Sequence, residues 1–190
     1  MQRISVIGSS GSGKSTMARA LSRVLGLPRL ELDSVFHQTG WHPKDDAAFR
    51  AEVAAFIERD AWVVDGNYTR HGVAQVVWPR ADTVVWLDPP RSTVMRRIIR
   101  RTIRRVVTRE ELWNGNRESW SNLYSPKPEN NIILWAWTRH GPTRQRYEVF
   151  MDDGTWADLA VIRLRTARDA RTFLDGLSTA GDVRAVEAGP

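Results

Sequence analysis

The chain has 190 residues, which fits one self-sufficient domain, and its 42% hydrophobic and 26% charged content excludes a fibrous or disordered class. No run approaches the roughly 18 apolar residues of a membrane-spanning helix and no secretory leader opens the sequence, so a cytoplasmic location is expected. Cysteine is absent, which removes disulfides, thiolate nucleophiles and cysteine metal sites, while the net charge of +6 admits nucleic acid, a membrane surface or an anionic small ligand.

Residues 3–7 form a short β-prone run that meets a glycine-rich segment. Beyond it Met17, Ala18, Ala20, Leu21, Val24 and Leu25 recur at helical spacing, predicting strand, loop and helix. Pro28 ends the connection, and residues 29–32 predict a second strand closing on Asp33. A helical pattern over 45–57 precedes a third strand at 62–64, followed by Asp65-Gly66. The fourth strand, 83–87, stops at Asp88-Pro89-Pro90 because proline cannot donate to a ladder. Residues 92–107 predict an amphipathic helix with Val94, Met95, Ile98, Ile99, Ile103 and Val106 on its apolar side and arginines on the other. Periodicity is lost over 112–130, which is rich in Asn, Ser, Gly and Pro and predicts a loop or mobile insert. Residues 131–140 predict a helix that Gly141-Pro142 kinks or ends, and 144–150 resume it. A fifth strand at 159–164 leads to a last helix over 168–174. Alternating strands and helices predict an α/β, doubly wound, parallel five-stranded sheet with a lid insert. The expected organisation is one domain over 1–177, with its lid at 110–130, and a flexible tail over 178–190.

Gly8-Ser9-Ser10-Gly11-Ser12-Gly13-Lys14-Ser15 matches the phosphate-loop pattern of Gly, four residues, Gly, Lys and Ser or Thr, between a predicted strand and a predicted helix. Glycines let successive N–H groups turn toward phosphate oxygens, and the helix N-terminus adds partial positive charge. Gly8, Ser9, Gly11, Ser12, Gly13, Lys14, Ser15 and Thr16 are therefore expected to bind ATP, with Lys14 at the β- and γ-phosphates and the Ser15 hydroxyl on Mg2+. A chance match in a Ser/Gly-rich loop is disfavoured by its position after the first strand.

With this loop at the start of so short a chain, the sequence resembles the small kinases of the adenylate kinase and shikimate/gluconate kinase group. Val63-Val64-Asp65-Gly66 looks like the strand-end Asp-Gly of nucleoside monophosphate kinases, and Val85-Trp86-Leu87-Asp88 before an Arg-rich helix looks like their next strand and lid approach. The combination of Leu32-Asp33, Trp41, residues 62–68 and Asn114-Gly115-Asn116-Arg117-Glu118 resembles bacterial adenylate-kinase-like or DNA topology modulation (FlaR-type) proteins. The resemblance implies ATP-dependent phosphoryl transfer to a small molecule, nucleoside or nucleotide. The subgroup label leaves a nucleotide-dependent regulator acting on nucleic acid as the alternative, which steep salt sensitivity would reveal.

Asp33 falls where shikimate- and gluconate-type kinases carry an Asp facing the acceptor, which implies a carboxylate that takes a hydroxyl proton; a helix cap or turn is the other reading. Asp65 is the expected Mg2+ residue beside Ser15, with Asp88 as its rival. Arg96, Arg97, Arg100, Arg101, Arg104 and Arg105 make a solvated face, a nucleic-acid patch or transition-state clamps. The four-residue spacing of Arg97 and Arg101 resembles the lid approach of those kinases. This implies clamping by Arg97, Arg101 and, from the insert, Arg117, with Arg104 and Arg105 solvated. Arg97 stacking on adenine stays open. The four histidines show no metal-ligand spacing, and Trp41, Trp113 and Trp120 line a binding region or simply pack.

Overall fold

The computed structural model describes residues 1–128, 131–152, 154, 156 and 159–187, with side chains through 178. Among these residues five strands form one parallel sheet in the order β2-β3-β1-β4-β5: β1 (Arg3–Gly8), β2 (Arg29–Glu31), β3 (Trp62–Asp65), β4 (Thr83–Leu87) and β5 (Ala160–Leu164). The helices are α1 (Lys14–Leu25), α2 (Leu32–Phe36), α3 (Asp46–Ile57), α4 (Val73–Val77), α5 (Arg91–Thr108), α6 (Ser121–Tyr124), α7 (Ile132–Asp152) and α8 (Ala167–Glu187).

Each central strand buries both faces, as a sheet covered on two sides requires. Ile4 and Val6 of β1, Val63 of β3 and Val85 and Leu87 of β4 pack with Met17, Ala18 and Leu21 of α1 and with Phe173 and Leu174 of α8. On the opposite face Ile7, Trp62, Val64, Val84 and Trp86 meet Val35 and Phe36 of α2, Phe49 and Val53 of α3, Val73 and Val77 of α4 and Tyr147 of α7. A polar contact lies in this second core: Ser5 Oγ accepts from Trp78 Nε1 at 3.2 Å. The doubly wound α/β fold expected from the sequence is the fold observed.

Several local expectations change. The second strand ends at Glu31, and Leu32 starts α2, so Asp33 lies in a helical first turn instead of closing a strand. Helix α5 buries Val94, Ile98, Thr102 and Val106, an i, i+4 row, while Ile99 and Ile103 are exposed. Along the fully buried row Thr102 takes the place that the apolar pattern gave to its neighbours. Helix α7 runs through Pro142 without ending. Buried Ala136, His140 and Tyr147 anchor it on both sides of the proline, and this packing offsets a proline cost of about 3 kcal/mol. The segment expected as an irregular insert holds a 3-10 turn at Trp113–Gly115 and helix α6; residues 129 and 130 lie outside the described residues. The backbone of α8 extends into the segment expected as a tail, and residues 188–190 lie outside the described residues.

Candidate active site

The phosphate loop leaves the end of β1 and enters α1 at Lys14, at the C-terminal edge of the sheet. Helix α1 starts from Gly13 with no side-chain cap and no acidic residue in its first turn, which leaves its positive end to an anion. Ser12 Oγ is buried with no partner among the described residues. Gly11 has φ +77°, and a Cβ there would stand 2.5 Å from Ile98 Cγ1. A side chain at 11 would push α5 off the loop. With glycine, α5 lies close enough for Arg97 Nη1 to donate to Ser12 O at 2.7 Å and Arg101 Nη2 to Ser10 Oγ at 3.3 Å.

Arg97 and Arg101 thus both reach the loop. Arg101 Nε is buried without a partner, and burial together with the neighbouring Arg105 guanidinium lowers the Arg101 pKa, against Glu118, Asp33 and Glu110. Arg104 is exposed, in line with the sequence reading, and pairs with Glu110. Arg105 is not solvated: it donates to Glu118 Oε1 at 3.0 Å, with both side chains largely buried, because α5 turns this edge toward the insert.

Asp65 ends β3 at 2% exposure, beside Lys14 and Ser15. Burial raises its pKa to about 6, while the Lys14 charge and the Ser15 hydroxyl act in the other direction. Among the described residues Asp65 Oδ1 has no hydrogen-bond partner at normal geometry, and Oδ2 accepts from Arg29 Nη1 at 3.4 Å. An orphaned buried carboxylate oxygen next to a phosphate-loop serine fits Mg2+ held by Ser15 and Asp65, an oxygen donor set suited to that ion. Asp88 is otherwise engaged: Arg163 donates to Asp88 Oδ2 from Nε at 2.9 Å and from Nη2 at 2.6 Å. Gly66 lets α2 pack against the end of β3, since a Cβ there would stand 2.8 Å from Leu32 Cβ.

Asp33 lies in α2, close enough for its charge to act on Asp65, Arg101 and His37. Tyr68 Oη donates to Asp33 Oδ1 at 2.8 Å. The insert then closes over the end of α2. Asn114 Nδ2 donates to Ser34 O at 3.1 Å and His37 O at 2.6 Å. Asn116, 3% exposed, accepts from Trp41 N at 2.9 Å and donates to Gln38 O at 2.9 Å. Trp41 Nε1 donates to Arg117 O at 3.2 Å. Trp113 stacks on His37 with centroids 5.9 Å apart, and Trp41 meets both rings edge-on. Arg117 itself is exposed and pairs with Glu111 at 3.3 Å, so it is not among the residues brought to the loop. Trp120 is exposed.

Sequence reasoning missed Asn67, whose Oδ1 accepts from Gly8 N at 3.0 Å and ties the loop to the end of β3. It also missed the Tyr68 contact and the amides of Asn114 and Asn116. The signal for the last two was present: Asn residues in a segment without periodicity supply side chains that bond to backbone.

No family model matches the chain. A shikimate kinase from Acinetobacter baumannii superposes with a TM-score of 0.50 at 17% identity, over 100% of this chain and 96% of that one, and shares the fold. A gluconokinase from Sinorhizobium meliloti 1021 aligns with a TM-score of 0.49 at 18% identity, over 99% and 98% of the two chains. A cytidylate kinase from Pyrobaculum aerophilum is 31% identical over 143 residues, covering 64% of this chain and 74% of that protein. The matching identity and extent, on a sheet whose first strand and helix enclose a phosphate loop, make the chain a member of the family of that cytidylate kinase, a family of P-loop kinases.

Proposed function

We propose that the chain is an ATP- and Mg2+-dependent kinase of the adenylate-kinase-like group that phosphorylates a hydroxyl of a small, uncharged acceptor. The observation that carries this reading is Asp33, a carboxylate held by a phenol beside the loop, with Glu31 and Asp65 as its acidic neighbours. A hydroxyl placed beside Asp33 meets a carboxylate that can accept its proton.

In this reading residues 8–16 hold the triphosphate and Lys14 reaches its β- and γ-oxygens. Ser15 and Asp65 hold Mg2+, which when bound neutralises phosphate charge. The acceptor oxygen bonds to the γ-phosphorus, the bond from that phosphorus to the bridging oxygen breaks, ADP leaves, and the hydroxyl proton passes to Asp33. Arg97 and Arg101, already against the loop, stabilise charge on the transferring group. Arg117 joins them only if it leaves Glu111. The inward turn of Arg101 and Arg105 also takes two cations out of any nucleic-acid patch.

A second reading, transfer to a nucleoside monophosphate, is favoured by the cytidylate kinase relative. Acceptor-dependent ADP release across nucleosides, nucleoside monophosphates and sugars separates the two. A nucleoside or sugar as best acceptor is expected; activity confined to monophosphates would overturn the hydroxyl reading.

A further inference from the structure

Tyr68 occupies a backbone conformation that a bulky residue adopts only under constraint, with φ +30° and ψ 32°. Two contacts hold it there: its carbonyl accepts from His71 N at 3.0 Å and from Val73 N at 3.3 Å. The ring is packed by Phe36, Phe49 and His71, with centroids 4.8, 5.0 and 5.6 Å away. Backbone and ring together aim one group, the phenol, at Asp33. Its O–H donates to Asp33 Oδ1 at 2.8 Å, and His37 Nε2 lies 3.4 Å from the phenol oxygen Tyr68 Oη. Burial and the Asp33 charge push the Tyr68 ionisation upward, so the phenol keeps the proton it donates.

The geometry points to Tyr68 as a positioning residue that ties down one carboxylate oxygen of Asp33 and leaves the other as the oxygen presented to an acceptor hydroxyl. This rests on the reading of Asp33 as the group that takes the hydroxyl proton. A carboxylate turns about a broad terminal torsion, so an untethered one spreads over many orientations beside Arg101. Tethering one oxygen removes that freedom, and small misplacements at a reacting centre are costly in rate. A neutral donor suits the task. An arginine or lysine would fix the carboxylate equally well, yet its charge would hold the carboxylate in the ionised form and weaken it as a proton acceptor. Phe in the same place would fill the Phe36–Phe49 packing without the phenol.

Tyr68→Phe keeps the ring and removes only the donor. With the acceptor selected by the panel, kcat is expected to fall roughly 10- to 100-fold while the KM for ATP stays within about two-fold. In an Asp33→Asn background the same substitution is expected to change nothing further, because the charged partner is already gone. Equal losses in both backgrounds would assign Tyr68 a packing role and overturn the inference. Normal turnover by Tyr68→Phe beside an inactive Asp33→Asn would also overturn it, leaving the role of Asp33 intact; an active Asp33→Asn would sink the functional reading itself. A crystal structure of Tyr68→Phe tests the tether without any acceptor. The Asp33 carboxylate is expected to turn from its present position, and an unmoved carboxylate would overturn the inference.

Discussion

The two halves of the site are assembled in opposite ways. On the ATP side eight consecutive residues, Gly8 through Ser15, make a loop whose shape follows from glycine positions and from the strand and helix at its ends. On the proposed acceptor side α2 and the Trp41 turn lie more than 70 residues from the insert in sequence and are joined to it by side chains that bond to distant backbone. A site half written in contiguous backbone tolerates change around it, whereas one held by a few amides depends on each of them.

That contrast is tested most severely at Lys14. Lys14→Ala is expected to leave a folded protein with kcat lowered about 10²- to 10³-fold, because a preorganised charge is lost while the backbone loop survives. Circular dichroism beside turnover would check it, and unfolding would show that the loop is less self-contained than its sequence suggests.

Next in size is Asp65. Its folded pKa of about 6 lies above the unfolded 3.8, so the native state binds this proton more tightly than the unfolded chain. Stability from this group is full below 3.8 and lost as pH rises through about 6. The ligand-free protein should therefore gain up to ~3 kcal/mol from Asp65 as pH falls across that window. Asp65→Asn should flatten this part of the Tm-against-pH profile, and an unchanged profile would show that burial does not disturb Asp65.

On the acceptor side Asn116→Ala leaves Trp41 N–H and Gln38 C=O without their partner. A loss of about 1–3 kcal/mol in urea denaturation is expected, with faster proteolysis between residues 112 and 125 and unchanged ATP affinity. Weakened ATP binding would mean that the two halves are coupled. The smallest effect is expected from Arg117→Ala, whose exposed pair with Glu111 is worth about 0–1 kcal/mol. A ten-fold fall in kcat in that variant would place Arg117 among the groups acting on the transferring phosphoryl.

The same contrast explains what was legible in the sequence. Strand, loop and α1 were readable because the pattern and its context are local, and β3 and β4 follow from short apolar runs ended by Asp-Gly or prolines. The role of Arg105 was not readable: helical spacing puts it on the polar side, and only the buried Glu118, 13 residues later, turns it inward. Ile99 and Ile103 look like core by pattern, but α5 packs along the row through Thr102. Asn114 and Asn116 looked like the composition of a loose segment, because their partners are carbonyls at Ser34, His37 and Gln38 that no local window contains.

The stacking of Trp113 on His37 gives this seam an optical signal. A protonated imidazole quenches the emission of a neighbouring indole by accepting an electron, and a neutral one does so far less. Burial holds the His37 pKa below its ordinary value, with Asp33 opposing, so the pair should emit at neutral pH and dim only in acid. Any ligand that pries the insert from α2 also changes the surroundings of this indole. The difference in fluorescence between the protein and its Trp113→Phe variant thus reports, in real time and without a label, whether the acceptor side is latched.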